Sequence, residues 1–178
     1  VWNLINFANH HPRVNILQPG PGVGGHCIAV DPWFIVDSSP DEAKLIRTAR
    51  LVNDSKPKYV LEQVKKAKKL CQKNEHNINI ACLGIAFKSD IDDLRESPAL
   101  KIAASISLTK LRNLYIVEPN ISELPKNLKN PNAILTGLED GISESDIIIV
   151  LVDHKEFMSI DKSLFENKIV IDPRGITN

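Results

Sequence analysis

The chain has 178 residues, and its 22 basic and 22 acidic side chains give a formal net charge of zero. This length allows one domain of ordinary size with a true hydrophobic core, and the balanced charge leaves no surplus for binding nucleic acid or an anionic membrane. The three cysteines have no short spacing, so we expect free thiols. No apolar run approaches the roughly 20 residues that span a bilayer, and we expect a cytoplasmic protein without a signal peptide.

The first residues read as the end of a helix. Residues 1–9 carry apolar side chains at helical spacing, and the polar segment 9–12 ends that helix. Because the sequence opens within a helix and without Met, we expect a piece of a longer protein. His10, His11 and His26 lack the regular spacing of metal ligands, so we expect no metal site.

A glycine-rich loop surrounds one reactive side chain. Residues 18–32 contain four of the chain's eight glycines together with Cys27. Glycine permits positive φ and close approach to a ligand, so this loop can expose N–H groups to a phosphate, a sugar or an oxyanion beside the thiol. A thiolate is a strong nucleophile that His26 can help to generate, and Asp31 can orient a water molecule or a proton. The alternative is a small buried hydrophobe in a tight turn, and the residues alone leave both readings open.

Two helices are predicted after the loop. The apolar run 33–36 is expected to anchor the loop to the core. Ser39, Pro40 and Glu42 then have the residue types and the spacing of an N-cap, a first helical position and a capping box. The inward face of this helix is expected to carry Leu45, Ile46, Ala49 and Val52.

The second predicted helix covers residues 57–73, after a break at residues 53–57. Val60, Val64 and Ala67 share one of its faces with Cys71, which is expected to be structural. The lysine-rich run on its other face is expected to be solvated surface, with anion binding as the alternative.

The remaining sequence alternates strands and helices. A helix is predicted to start at Ser97 and Pro98, and a short, partly helical stretch at residues 161–166. Near-continuous Ile and Val runs between helices indicate a parallel sheet that is covered on both faces. We therefore predict an α/β fold in which a Rossmann-like parallel sheet, residues 77–178, follows a mostly helical linker segment, residues 1–76, docked against it. The predicted strands are residues 78–84, 113–118, 146–152 and 168–172.

Three cations follow predicted strands of this sheet. The first strand lacks a Gly-x-Gly-x-x-Gly fingerprint, although Glu118 ends the second strand where a ribose-binding acid can lie. Lys88, Arg95 and Arg174 lie at the carboxyl ends of strands, where ligands of such sheets gather, and they suit a pyrophosphate. The alternative is that Lys88 and Arg95 pair with the acidic side chains of residues 90–96 in a surface network.

Two motifs carry a resemblance to a known family. The first is Gly-Pro-Gly-Val-Gly-Gly-His-Cys-Ile-Ala-Val-Asp-Pro-Trp-Phe, residues 20–34, and the second is Gly-Ile-Ala-Phe-Lys, residues 84–88, with residues 92–99. In order and spacing they resemble the nucleophile loop and the C-terminal signature of the UDP-sugar 6-dehydrogenases, in the UDP-glucose/GDP-mannose dehydrogenase family. The sequence is most similar to the UDP-N-acetyl-D-mannosamine branch, and it covers only the C-terminal part of the family's proteins.

The resemblance implies a reaction and a set of catalytic roles. It implies oxidation of the sugar C6 alcohol to a carboxylate with two NAD, for polysaccharide biosynthesis. Cys27 forms the thiohemiacetal and then the thioester, and Asp31 positions the water that releases the uronic acid. The N–H groups of the loop would stabilise the charged oxygen.

The resemblance also implies binding roles. Phe87, Lys88 and Arg174 contact the UDP-sugar, although the sequence around Arg174 matches the family only loosely. Gly24 lets the loop approach the sugar, and Arg95 reaches the NAD. His11 and Arg13 reach the substrate of the neighbouring subunit in a homodimer.

Parts of the family's machinery have no counterpart in this sequence. The N-terminal NAD-binding half is absent, and so are the Lys and Asn that precede the nucleophile loop, so we expect the isolated chain to be inactive. One alternative is a non-catalytic nucleotide-sugar binding module in which Cys27 is inert. A thiol hydrolase with a pair formed by Cys27 and His26, and a purely structural dimerisation piece, are weaker alternatives.

Overall fold

The structure, a computed structural model, describes residues 1–177. Its helices are α1 (Trp2–Ala8), α2 (Asp31–Ser38), α3 (Lys44–Leu70), α4 (Pro98–Ser107), α5 (Leu138–Ser143) and α6 (Lys155–Met158). Its strands are β1 (Asn79–Leu83), β2 (Asn113–Val117), β3 (Ala133–Leu135), β4 (Ile147–Val150) and β5 (Ile169–Ile171). Short 3₁₀ turns lie at Glu75–Asn77, Lys126–Leu128 and Lys162–Phe165. No helix in the described part is long and apolar enough to cross a bilayer.

The five strands form one parallel sheet in the order β3-β2-β1-β4-β5. The central strand β1 pairs with β2 on one side and β4 on the other, so that Cys82 lies opposite both Ile116 and Ile149. This topology confirms the predicted α/β fold class and all four predicted strands. The sequence did not predict β3, because a three-residue edge strand gives too short an apolar run to stand out.

Both faces of the sheet are buried, and this explains the continuous Ile and Val runs. Ile80 and Cys82 of β1 point to the layer of α3 and α4, whereas Ala81 and Leu83 point to the opposite layer. The opposite layer is formed by α5 and α6, whose largest contribution is the buried ring of Phe157. Successive side chains of a strand alternate between faces, so a strand covered on both faces must be apolar throughout.

Helix α4 begins where the sequence predicts. Pro98 occupies its first turn, and the Ser97 hydroxyl accepts a hydrogen bond from the Leu100 N–H at 3.1 Å. The same hydroxyl donates to the Ile85 carbonyl at 2.7 Å. The N-cap therefore also ties the start of α4 to the segment that follows β1.

The two helices predicted between residues 39 and 73 are one continuous helix, α3. It is one helix of 27 residues with Pro57 inside it, so the expected break at residues 53–57 is wrong. Proline removes one helical hydrogen bond, that to the Asn53 carbonyl, but packing on both sides of this point outweighs the loss. The C-terminal half of α3 buries Val60 and Val64 against the sheet, as predicted.

Of the side chains predicted to face inward from the N-terminal half of α3, only Ile46 is partly buried. Leu45 and Val52 are exposed, whereas Ala43 and Arg50 are buried. Because the helix is continuous, the packing of its C-terminal half determines which side chains of its N-terminal half face inward. Steps of three and four residues back from Val60 lead to Arg50 and Ala43, which therefore face the core. The predicted capping box is also wrong: α3 starts at Lys44 after Ala43, without a side-chain cap. Ser39 instead ends α2.

The apolar run that was expected to anchor the loop does not reach the core. Residues 33–36 lie in helix α2, which buries none of its side chains, and Phe34 is 68% exposed. The short helix contacts α3. Helix α1 forms as predicted, although Ile5 is its only buried residue among those described.

Candidate functional site

A small cavity lies at the carboxyl edge of the sheet, between the segments that follow β1 and β4. Its volume is about 140 Å³. Strand order reverses between β1 and β4, and this reversal is where open α/β sheets bind their ligands. The lining combines residues 86–89 and 151–153 with residues 21–23 of the glycine loop, Pro98, Ala99 and Arg174.

Arg174 reaches this cavity from the turn after β5. The carboxylate of Asp172 accepts hydrogen bonds from the N–H groups of Arg174 at 3.0 Å and Gly175 at 2.6 Å, which fixes the turn. The guanidinium of Arg174 pairs with Asp153 at 2.5 Å. Its Nε is buried and has no hydrogen-bond partner among residues 1–177. An unpaired buried donor is costly, so this group suits a ligand acceptor.

Lys88 and Arg95 differ in their surroundings. Lys88 lines the cavity, its side chain is exposed, and no ion pair joins it to another residue of the described chain. Arg95 instead holds Asp93 with two nitrogens, at 3.0 Å and 2.5 Å. Hydrogen bonds from Arg95 lower the pKa of Asp93 to about 2. The surface network considered from the sequence therefore exists for Arg95 and not for Lys88.

The glycine loop is docked by backbone contacts. The Gly25 N–H donates to the Arg95 carbonyl at 3.1 Å. The side-chain amide of Asn53 pairs with both backbone groups of Val23, at 2.8 Å and 3.3 Å. A Cβ on Gly24 would lie 2.5 Å from the Glu96 carbonyl oxygen, so only glycine fits there. Close packing against the segment before α4 thus explains why residue 24 is glycine, in addition to the predicted approach of the loop to a sugar.

Cys27 lies on the exposed side of this loop. Its Sγ is 3.2 Å from His26 Nδ1, and its carbonyl accepts from the Asp31 N–H at 2.8 Å where α2 begins. The alternative of a small buried hydrophobic residue fits Cys82 and not Cys27. Burial raises the pKa of the Cys82 thiol to about 12. The geometry leaves the Cys27 thiol open to a reactant.

Phe87 connects the loop to the cavity. Its ring packs against Gly25, which has φ of +90° and would bring a Cβ within 3.0 Å of the ring. Its N–H donates to the Asp93 carbonyl at 3.1 Å. The loop that carries Cys27 and the segment that carries Lys88 therefore meet at one aromatic side chain.

Two predicted substrate contacts lie elsewhere. His11 and Arg13 are exposed in the segment after α1, where the Arg13 N–H donates to His11 Nδ1 at 3.2 Å. Neither lines the cavity, and neither does Cys27. Within the described chain, no group of three or more potential ligand side chains is arranged to hold a metal ion.

Sequence reasoning missed the roles of His154 and Asn53 at this site and assigned Glu118 a different role. Glu118 does not present a free carboxylate to a ribose, because it accepts hydrogen bonds from the Ile85 and Ala86 N–H groups. His154, directly before α6, is buried against Glu118 at 3.1 Å. Asn53 was read as part of a helix break. The available signal was a polar residue at the end of an apolar strand, or within an otherwise apolar helix face.

Family models match almost the whole chain. Residues 81–178 match the UDP binding domain of the UDP-glucose/GDP-mannose dehydrogenase family, and residues 1–55 match the central domain of that family.

Curated relatives are similar over the full length of this chain. An NDP-N-acetyl-D-galactosaminuronic acid dehydrogenase of Ralstonia solanacearum is 52% identical over 99% of this chain and 40% of its own length. A UDP-N-acetyl-D-mannosamine dehydrogenase of Salmonella typhi is 52% identical over 99% of this chain and 43% of its own length. The chain thus spans less than half the length of these relatives.

Solved structures show the same fold. A UDP-D-ManNAc dehydrogenase from Pyrococcus horikoshii superposes with a TM-score of 0.80 at 32% identity, over 98% of this chain and 40% of that chain. A UDP-N-acetyl-mannosamine dehydrogenase from Staphylococcus aureus gives 0.73 at 31% identity, over 98% and 38%. A UDP-glucose dehydrogenase from Pyrobaculum islandicum, at 20% identity and a TM-score of 0.80 over 98% of this chain and 40% of that chain, shares the fold.

Proposed function

The chain belongs to the UDP-glucose/GDP-mannose dehydrogenase family, and from this we propose that it supplies the UDP-sugar-binding and nucleophile-bearing part of an NAD-dependent UDP-sugar 6-dehydrogenase. One observation carries the proposal. The cavity at the strand-order reversal brings the free ammonium of Lys88 and the partly unpaired guanidinium of Arg174 under the loop that presents Cys27.

The cavity suits the diphosphate of the ligand. Its volume of about 140 Å³ is below the roughly 300 Å³ at which pockets for whole small molecules begin. It therefore holds the diphosphate end, with Lys88 as a point charge and Arg174 as a planar donor. The sugar then extends along Gly24 toward Cys27, and Phe87 lines the path between them.

The proposed substrate is UDP-N-acetyl-D-mannosamine, and the product is its uronate. Relatives that carry this name are 50–52% identical to the chain. Relatives named for an NDP-N-acetyl-D-galactosaminuronic acid are equally similar. The two groups share an N-acetylated sugar, which we take as the substrate class, and the mannosamine form is the specific proposal within it.

The chemistry of this chain centres on its exposed thiol. Cys27 thiolate attacks the carbon of a C6 aldehyde, which forms a covalent thiohemiacetal and retains the reactive group. NAD, held outside this chain, would accept the hydride when the thiohemiacetal is oxidised to the thioester. Asp31, four residues from Cys27 at the start of α2, then orients the water that attacks the acyl carbon. The Cys27 sulfur leaves as thiolate, and the uronic acid is released.

The described residues do not fit a dinucleotide. The turn after β1 gives its N–H groups to Glu118, and the guanidinium of Arg95 is held by Asp93. We therefore assign this chain no hydride step. We place NAD binding in the part of the protein that the relatives have outside the matched share of 40%, and we expect this chain alone to form no NADH from NAD and UDP-N-acetylmannosamine. The homodimer, with His11 and Arg13 reaching a neighbouring subunit, belongs to the same proposal.

Titration of UDP into this chain tests the proposal. Isothermal titration calorimetry should detect binding, and Lys88→Ala and Arg174→Ala should each weaken it about tenfold or more, because each removes a charge-assisted contact to phosphate. Lys69→Ala, which removes an exposed lysine from the outer face of α3, is the matched control and should bind as the parent does. Absence of UDP binding by the parent would overturn the proposal.

Two other functions have distinct signatures. A nucleotide-sugar binding module would bind UDP but leave Cys27 no more reactive than a simple thiol. A thiol hydrolase is favoured by the distance of 3.2 Å between Cys27 Sγ and His26 Nδ1. Hydrolysis of a simple thioester by this chain without NAD, lost in Cys27→Ser, would identify that second activity.

A further inference from the structure

A buried pair of side chains lies directly behind the segment that carries Phe87 and Lys88. Glu118 follows β2, and His154 follows β4; their side chains are 0% and 1% exposed. His154 Nε2 lies 3.1 Å from a carboxylate oxygen of Glu118. Neither residue lines the cavity, so neither is placed to touch a ligand there.

The front end of the segment is held by Glu118. One carboxylate oxygen accepts from the Ile85 N–H at 2.8 Å and from the Ala86 N–H at 3.0 Å. These residues follow Gly84, whose N–H donates to the Val117 carbonyl as the last such contact to β2; beyond it the Ile85 and Ala86 N–H groups bond to Glu118. The carboxylate therefore fixes the direction in which the chain leaves the strand.

The back end is held by His154. Its Nδ1 accepts from the Asp90 N–H at 2.9 Å. Asp90 has φ of +61°, a left-handed conformation that a non-glycine residue adopts at a cost. Its carboxylate accepts in turn from the Lys155 N–H at 3.0 Å. The loop thus reverses direction at Asp90 and is fastened there to α6.

The two ends depend on one proton position. Because Nδ1 accepts a backbone N–H, the imidazole proton lies on Nε2 and is donated to Glu118. Burial raises the pKa of Glu118, but the hydrogen bonds from His154 and the two N–H groups outweigh it and hold this pKa below its ordinary value. A buried carboxylate is stable only with such partners.

We propose that Glu118 and His154 are positioning residues of the UDP-sugar site, which hold the segment 85–90 at both ends so that Lys88 faces the diphosphate. This inference rests on the proposed function. An apolar pair would fill the same volume, but it would leave three N–H groups of the segment unpaired and Lys88 on a mobile loop. Ordering the loop before the ligand arrives reduces the entropy that binding costs.

Paired substitutions separate positioning from stability. His154→Asn keeps an acceptor near Nδ1 for Asp90, whereas His154→Gln reaches toward Glu118 and loses that acceptor. We expect His154→Asn to bind UDP within about threefold of the parent and His154→Gln to bind about tenfold or more weakly, both at a temperature where circular dichroism shows a folded chain.

Phe157→Leu is the matched control. The Phe157 ring packs edge-on against His154 at 5.1 Å between ring centroids and is buried, but it makes no hydrogen bond to the segment. Its substitution should lower the melting temperature and leave UDP affinity unchanged. Amide hydrogen exchange gives a second readout, since His154→Gln should release the Asp90 N–H and leave the Ile85 N–H protected.

The outcomes are distinct. Loss of UDP affinity in His154→Gln but not in Phe157→Leu, with faster exchange at Asp90, supports the positioning role. UDP affinity of His154→Gln within about threefold of the parent, or equal exchange at Asp90 in parent and His154→Gln, overturns it while UDP binding by the parent stands. A parent that does not bind UDP overturns the proposed function, and this role falls with it.

Discussion

At the scale of single residues, the three thiols of the chain differ in their surroundings. Cys27 is exposed, Cys71 is partly buried, and Cys82 is fully buried. Burial raises the pKa of Cys71, and the charge of Asp146 raises it further. Burial alone raises the pKa of Cys82 to about 12. Only a thiolate reacts with an alkylating reagent, so exposure and pKa together predict the order in which the three thiols react.

Limited alkylation with iodoacetamide at about pH 8 should therefore modify Cys27 first, Cys71 more slowly and Cys82 only after unfolding. Peptide mass spectrometry gives the order. Cys27→Ser should remove the fast phase, and urea should equalise the remaining two sites. A first label on Cys71 would contradict the exposed position of the Cys27 thiol.

At the scale of elements, two glycines differ in their surroundings: Gly24 lies in the glycine loop, and Gly137 lies directly before α5. A Cβ at Gly24 would lie 2.5 Å from the Glu96 carbonyl oxygen and 2.8 Å from Pro98. A Cβ at Gly137 would meet nothing within 4 Å, and its φ of −70° suits any residue. Alanine should therefore be rejected at one position and tolerated at the other.

Gly24→Ala is expected to lower the free energy of unfolding by about 1–3 kcal/mol, because the loop must move away from the segment before α4. Gly137→Ala should change it by less than about 1 kcal/mol, since reduced freedom of the unfolded chain opposes a weaker N-cap. Urea denaturation measures both. Equal stabilities of the two variants would mean that the loop is not docked through Gly24.

The elements that the sequence predicts well are those whose signals are local in the sequence. β1, β2, β4 and β5 are apolar because both faces of the sheet are covered, and α4 carries a local N-cap at Ser97. The continuity of α3 through Pro57 could not be predicted, because the packing that outweighs the proline comes from elements distant in sequence. The exposure of α2 could not be predicted either, because an apolar segment does not show which other elements, if any, will pack against it.

The site divides in the same way. The position of Lys88 and Arg174 at the carboxyl edge follows from strand assignment alone, and the structure brings both to one cavity. The pairing of Arg95 with Asp93 and the burial of His154 against Glu118 depend on loop paths between strands. The spacing of apolar residues in the sequence does not predict the paths of these loops.

At the scale of the whole molecule, the helical segment and the sheet share one core. Val60, Val64 and Ala67 of α3 pack in the same cluster as Ile80 and Ile149 of the sheet. Trp2 of α1 also lies against Gly175, beyond β5. We therefore propose that the predicted regions 1–76 and 77–178 unfold together.

Ile149→Ala tests this cooperativity. It removes a fully buried side chain from the sheet and should cost about 2–5 kcal/mol. The tryptophan fluorescence midpoint, which reports Trp2 and Trp33 in the helical segment, should shift as far as the circular dichroism midpoint. Leu108→Ala, at a side chain that is 81% exposed, should shift both by less than about 0.5 kcal/mol. A fluorescence midpoint that stays fixed in Ile149→Ala would show two independent units.

The hydrogen bonds around the cavity also have a consequence for the order of folding. Asn53 and Val23 are 30 residues apart, Glu118 and Ile85 are 33 apart, and His154 and Asp90 are 64 apart. Pairing of β1 with β2 and β4 joins residues about equally far apart, and closing such loops costs entropy, so these hydrogen bonds form with the sheet and not before it. A growing chain therefore has no diphosphate site until β4 has joined the sheet, and it cannot bind nucleotide before that strand is in place.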